Sequence, residues 1–428
     1  MRRVLRLTAI VVSAVVALSA TAVVGYRVFA PHETLTGPTV AYPEVAVITD
    51  ERPYSELRAA PLVVEGRLRV YAEKWRVWSD APLGERYEST PYWAYRRWPA
   101  QVVGVVTAQT TSGPVVVTQW SDGEIVALDA RRGTISWRLN APIAPGRSYD
   151  GRRTGASVVY DPRSLLTARS GQLTVVFVTG PGVVRALNAA TGVPLWQREI
   201  PGGCEPAAWT GDTVLVLPDC HAPVLSILSV ADGVQRAQWN SPDPATMPKP
   251  SLCELNRSEC RLITVGTKQF ELMGTGNMKA VPDLEPGAEL SGDRVVYPTA
   301  TGVAARPLIS STPLWTWVGK GSLFAANAVG VYLLTKDRTV LGLSPATGHL
   351  EVIGCASSQP NEGWQIGHVY PTGGGYLALE RTTNEPPTSD DQQYFYGPRP
   401  VALVELYTPT KLPVWPGKFA ACNPLGGA

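Results

Sequence analysis

Apart from one long apolar run near the N-terminus, hydrophobic residues fall in short stretches bounded by glycine, proline, asparagine or aspartate. Residues 123–128, 182–187, 224–228, 330–334, 339–343 and 401–407 are such stretches. Runs this short, closed by turn residues, predict strands rather than helices. Residues 207–217 alternate around Gly211-Asp212 as a hairpin would, and Tyr92-Trp93-Ala94-Tyr95 alternates like a half-buried strand. Further strands are expected between about residues 45 and 106. The pattern therefore predicts an all-β body.

The long run differs in kind. Residues 7–26 carry no charge, with Arg2, Arg3 and Arg6 before them and Arg27 after. At about 1.5 Å per residue, a helix of this length reaches roughly 30 Å, the hydrocarbon thickness of a bilayer. The arginine excess on the N-terminal side places residues 1–6 in the cytoplasm and the body outside. A cleaved leader ending at Ala20-Thr21-Ala22 is the competing reading and exports the body equally. Apolar residues continue past that site, which favours a retained transmembrane signal anchor. Residues 27–43, rich in Pro, Thr and Gly, read as a tether, leaving 44–428 as the exported domain.

One passage returns along the body. Ala127-Leu128-Asp129 leads through Gly133 to Trp137, and Ala186-Leu187-Asn188 leads through Gly192 to Trp196. Both fit A-x-[DN]-x-x-x-G-x-x-x-W. The Asp or Asn side chain can bond the backbone of a following turn, the glycine supplies a positive φ, and the next strand carries the tryptophan. So large a residue at one fixed offset wants one fixed slot, and the seam between neighbouring sheets of a radial repeat provides it. Weaker copies include Gly233, with Ala237 in the tryptophan slot, Trp315, with Ser311 in the glycine slot, Gly348, with Val352 in the tryptophan slot, and Trp415.

The shorter spacings match a four-stranded blade of about 40 to 50 residues. The longer ones leave room for insertions, expected at about 240–289 and 382–400. The count is about seven blades, with six or eight also compatible. These passages resemble the quinoprotein-like (PQQ-like) β-propeller repeat family over roughly residues 101–415. The resemblance implies that Trp137 and Trp196 pack between blades. It implies no single function, because the family holds quinone-dependent dehydrogenases and a non-enzymatic BamB-like group that scaffolds envelope assembly.

Charge and candidate chemistry narrow the reading. With 38 basic against 36 acidic residues the net charge is +2, which gives no sequence-wide field for nucleic acid. Forty glycines and 38 prolines spread along the chain suit many turns. All six cysteines, Cys204, Cys220, Cys253, Cys260, Cys355 and Cys422, lie beyond the apolar run, which suits disulfides in an oxidising compartment. Sequential pairing is expected: 204 with 220, 253 with 260, 355 with 422. No C-x-x-C occurs and the four histidines are scattered, so no metal site is expected.

A quinone dehydrogenase would need calcium, oxygen ligands and an acidic base, and the family's enzymes resemble one another in a vicinal Cys-Cys that this chain lacks. Asp283 with Glu285 and Asp390-Asp391 are carboxylate pairs, but both read as solvated loops. The remaining cluster is Trp75, Trp78, Tyr92, Trp93, Tyr95, Arg96, Arg97 and Trp98. Aromatics with arginine suit a binding surface, while their alternation suits a plug for the first blade. The expectation is a membrane-anchored, extracytoplasmic binding or scaffold protein of the cell envelope, without cofactor, whose partner is an envelope protein or wall polymer. The alternatives are a PQQ-dependent oxidoreductase with calcium and a wall-polysaccharide-binding module.

Overall fold

The computed structural model describes residues 13–21, 25–26, 30–45, 54–81, 83, 85–140, 148–149, 158–160, 162, 164–200, 208–211, 213–253, 260–273, 275–357, 362–373, 375–383 and 395–409. Among them the chain forms eight antiparallel sheets, each the blade of a propeller. Blade 1 is built from β3 (Leu62–Val64), β4 (Leu68–Glu73), β5 (Arg76–Asp80) and β6 (Trp93–Trp98). An added outer strand, β1 (His32–Thr36), pairs with β6. Blades 2 to 7 follow as consecutive four-stranded meanders over residues 102–140, 165–199, 209–240, 249–281, 289–318 and 322–355.

Blade 8 takes three strands from Gln365–Gly373, Tyr376–Thr382 and Val401–Glu405 and its fourth from the N-terminal side, β2 (Tyr54–Leu57). The ring is thus closed by pairing the two ends of the propeller. First strands of neighbouring blades touch one another, Leu165–Ser170 meeting both Val102–Thr110 and Trp209–Gly211, and so line the inside of the ring. Fourth strands such as Pro194–Glu199 and Gln235–Asn240 are half exposed.

The repeated signature forms the seams. After Asp129, Asn188, Ser229 and Ser344 the chain makes the same turn, closed by bonds from the N–H of Gly133, Gly192, Gly233 and Gly348 back to those four carbonyls. The Asp129 and Asn188 side chains accept from the N–H groups of the intervening residues. All four glycines have positive φ, between 64° and 71°. Each is covered by a tryptophan of the preceding blade: Trp93 on Gly133, Trp137 on Gly192, Trp196 on Gly233 and Trp315 on Gly348. Each indole N–H donates to a carbonyl of the turn it covers, at Ala130, Ala189, Val230 and Pro345, over 2.8–3.0 Å. Trp137 and Trp196 thus pack between blades, and Trp93 does the same. Trp415 lies outside the described residues.

The blade count is eight, one above the central expectation. The difference lies in residues 240–289, expected as an insertion, where Lys249–Ser251, Leu262–Val265, Lys268–Leu272 and Met278–Val281 form a complete blade. Its turn glycine, Gly276, has φ +88° and lies closest to the methyl of Ala237, which stands where other blades carry tryptophan. Most of the loop expected at 382–400 lies outside the described residues.

The tether contains β1, all five of whose residues are exposed. Of the apolar run 7–26, residues 13–21 and 25–26 are described, as helix, and residues 7–12 and 22–24 are not. No helix among the described residues is long and apolar enough to cross a membrane.

Cys253 and Cys260 form a disulfide, as expected. Cys220 and Cys355 are also disulfide-bonded, and their expected partners Cys204 and Cys422 lie outside the described residues.

The seam geometry sets two expectations for thermal or urea unfolding. Gly192→Ala forces a left-handed alanine and sets its methyl 2.6 Å from the Trp137 ring. It should lose about 2–4 kcal/mol. Gly171→Ala, at a similar φ of +61° but with nothing within 4 Å, should lose only the backbone part, about 1 kcal/mol. Trp93→Ala, in a fully buried slot, should lose about 3–5 kcal/mol. Trp98→Ala, half exposed on the same strand, should lose about 1 kcal/mol or less. Equal losses for either pair would refute the seam assignment.

Candidate functional site

A cleft of about 830 Å³ lies at blade 1. It opens where β3 stops short of its neighbour. β3 pairs with β4 only as far as Val70, so the inner edge of Tyr71–Glu73 has no strand beside it. Side chains from the connection between blades 2 and 3 take over: the Tyr160 hydroxyl accepts from the Ala72 N–H at 2.8 Å, and the Tyr149 hydroxyl donates to the Ala72 carbonyl at 3.3 Å. Backbone polarity is thereby satisfied without a strand, and space is left beside it.

The floor is aromatic. Tyr71 and Trp78, directly opposite on β4 and β5, stack with ring centres 4.6 Å apart. Trp75, in the β4–β5 turn, packs against Trp98 of β6 at 4.9 Å. The turn is fixed by bonds from the Arg97 N–H to the Trp75 carbonyl and from the Val102 N–H to the Lys74 carbonyl. Burial holds the Tyr71 phenol protonated, well above its ordinary range, so it offers no base.

The rim is charged, and its two carboxylates are already engaged. Glu73 accepts from Arg76 at 2.6 Å and from the Trp78 indole at 2.8 Å. Glu88 accepts from the Arg58 backbone N–H and lies 3.8 Å from Arg399. The loop carrying Glu88 is held from below by Arg69, fully buried, which forms a two-pronged pair with Asp80 at 2.7 Å and donates to the Glu85 and Tyr87 carbonyls. The side chains of Arg58, Lys74 and Arg96 also line the cleft, and none has a hydrogen bond or ion pair among the described residues. The ammonium of Lys74 sits 5.0 Å from the centre of the Trp75 ring. Arg96 stands directly opposite Arg76. Two like charges in that register repel, and only one of them has a counter-ion.

The structure divides the aromatic cluster. Trp75, Trp78 and Arg96 line the cleft, and Trp98 supports it. Tyr92, Trp93 and Tyr95 are buried in the core between blades 1 and 2. Arg97, on the opposite side of β6 from Arg96, pairs with Asp122 and Glu124. Lys74 and Arg76 were detectable as the sequence neighbours of Trp75. Arg58, Glu88, Tyr149 and Arg399 come from distant parts of the chain and left no local signal.

The other carboxylates considered do not form a second site. Glu285 is paired with Arg306, a buried arginine that also bonds the Asp283 carbonyl. Asp390-Asp391 lies outside the described residues. Among the described residues no three of His, Cys, Asp and Glu come together to hold a metal ion.

No curated protein matches the chain. Solved structures similar to it include BamB from Moraxella catarrhalis, 16% identical over 84% of this chain and 100% of that one, with a TM-score of 0.43. The C-terminal WD40 domain of Sif2 is 14% identical over 85% and 99%, with a TM-score of 0.43. The quinohemoprotein alcohol dehydrogenase ADHIIG from Pseudomonas putida HK5 is 13% identical over 88% and 76%, with a TM-score of 0.39. The PQQ-like family model described as "Outer membrane protein assembly factor BamB" matches residues 19–243. That is more than half of the chain, with the seams Trp93–Gly133, Trp137–Gly192 and Trp196–Gly233 inside the match, and the chain belongs to this family of propellers.

Proposed function

We propose that the chain is a membrane-anchored, extracytoplasmic propeller that binds and scaffolds in the cell envelope rather than catalysing a reaction. The observation that carries this reading is the state of the blade 1 cleft. Its acids, Glu73 and Glu88, are engaged by arginine side chains and indole or backbone N–H groups, while Arg58, Lys74 and Arg96 are free. A general acid–base pair needs titratable groups free to exchange protons with a substrate. Unpaired cations beside aromatic rings instead suit recognition of an anionic group.

Three further features support the location and the role. The uncharged run 7–26 with its arginine asymmetry supports a single span with the N-terminus inside. Disulfide bonding of Cys220, Cys253, Cys260 and Cys355 supports an oxidising compartment. The rigid disc, closed by its own N-terminal strand, offers loops on both faces to protein partners, as membership of the BamB family also suggests.

Two measurements test the proposal. A reporter active only outside the cytoplasm, fused after Ala428, should be active, and a silent fusion would sink the topology. Purified protein incubated with pyrroloquinoline quinone and calcium should gain neither a bound chromophore nor dye-reducing activity; gaining both would replace the binding role by the dehydrogenase alternative.

A further inference from the structure

The path of the tether fixes which end of blade 1 is nearest the apolar run. Five residues, and so six Cα–Cα steps, separate Tyr26, the last of that run, from His32, the first of β1. Fully extended they reach at most about 20 Å. The Ala30 N–H bonds back to the Tyr26 carbonyl, so the reach is shorter still. In the β1–β6 register His32 is opposite Trp98. Because β5 runs antiparallel to β6, with Arg76 opposite Arg96, the β4–β5 turn lies at the same end, where Trp75 packs on Trp98. If residues 7–26 span the membrane, the Lys74-Trp75 turn is held within a short distance of the membrane surface.

The chemistry of that end suits its position. Trp75 and Trp98 are residues that settle at the level of lipid headgroups. Among the described residues Arg58, Lys74 and Arg96 are cations without counter-ions, and Arg76, opposite Arg96, shares its charge with Glu73. Elsewhere on this blade Arg97 is matched by Asp122 and Glu124, and Arg69 by Asp80.

We infer that the blade 1 cleft binds the phosphate-bearing headgroup of an anionic membrane lipid, docking the propeller edge on the bilayer from which it is tethered. The inference rests on the membrane-anchored reading above. Arg58, Lys74 and Arg96 meet the phosphate, Trp75 enters the headgroup layer, and the blades farthest from β1 remain free for partners. Basic residues near an anionic surface each contribute measurably, so three acting together should produce roughly a hundredfold preference for anionic over neutral lipid.

The test uses the full chain reconstituted into vesicles, either phosphatidylcholine alone or with roughly 30% phosphatidylglycerol, the charged fraction supplying the surface potential. Amide exchange of residues 73–76 should slow about tenfold in the phosphatidylglycerol vesicles only, and recover at about 0.5 M salt. The variant R58E/K74E/R96E, changed only at exposed positions, should keep its thermal transition and lose the protection. If that variant fails to fold, the difference between the two vesicle types with the unaltered protein still decides. Protein that stays in both vesicle types through an alkaline wash but shows equal exchange would overturn the headgroup site while leaving the anchor standing. Protein released by the wash would overturn the anchor itself. Equal protection by inorganic phosphate in phosphatidylcholine vesicles would assign the cleft to the free ion and overturn the lipid reading.

Discussion

The ring depends on one repeated contact, a tryptophan of one blade lying flat on a glycine of the next. The glycine is required twice over. Its φ is positive, and any Cβ would enter the indole, as between Gly192 and Trp137 at 2.6 Å. The indole N–H bonds a carbonyl of the same turn, so the contact fixes direction as well as distance. Blades 2 to 7 each fold from consecutive strands, and these seams, the apolar clusters shared by neighbouring blades and the pairing of β2 with Val401–Glu405 make eight sheets into one body. Where the tryptophan is reduced to Ala237, the turn glycine Gly276 still sits on it, so the geometry outlives the large side chain.

That contact was legible because its parts are local. An Asx or Ser turn, a glycine and a tryptophan at fixed offsets announce both sides of a seam, although the two halves that touch belong to successive copies. The count was less legible. Blade 5 has neither the tryptophan nor the Asx turn and contains a small disulfide loop, so its apolar runs read as an insertion. Blade 8 is split between the two ends of the domain, and no local pattern can show that Tyr54–Leu57 pairs with Val401–Glu405. The cleft was half legible for the same reason. Trp75, Trp78 and Arg96 stand out in sequence, but Trp93 and Tyr95 share their composition and turn inward, and Arg399 reaches the site only through ring closure.

Two fully buried arginines show how the fold spends charge internally. Arg69 with Asp80 organises the loop beneath the cleft, and Arg306 with Glu285 gathers the connection before blade 6. Burying such charges is tolerable because each guanidinium finds a carboxylate and several carbonyls, and removing one partner would leave an uncompensated charge in the interior. Of the carboxylates read as candidates in the sequence, Glu285 is thus structural through its pairing with Arg306, and in the cleft Glu88 lies on a loop that Arg69 holds.

The contrast between the two sides of β6 gives the cleft its meaning. Successive residues of a strand face opposite ways, so Arg96 and Arg97 look out on different surroundings. Arg97 meets Asp122 and Glu124. Arg96 meets Arg76, and the strand beyond it contributes Thr34, a residue that can neutralise neither. With a net charge of only +2, the molecule as a whole does not draw anions to its surface. A positive field therefore builds up where counter-ions are locally missing, and among the described residues the end of blade 1 that receives β1 gathers several such cations, Arg58, Lys74 and Arg96, around one cleft.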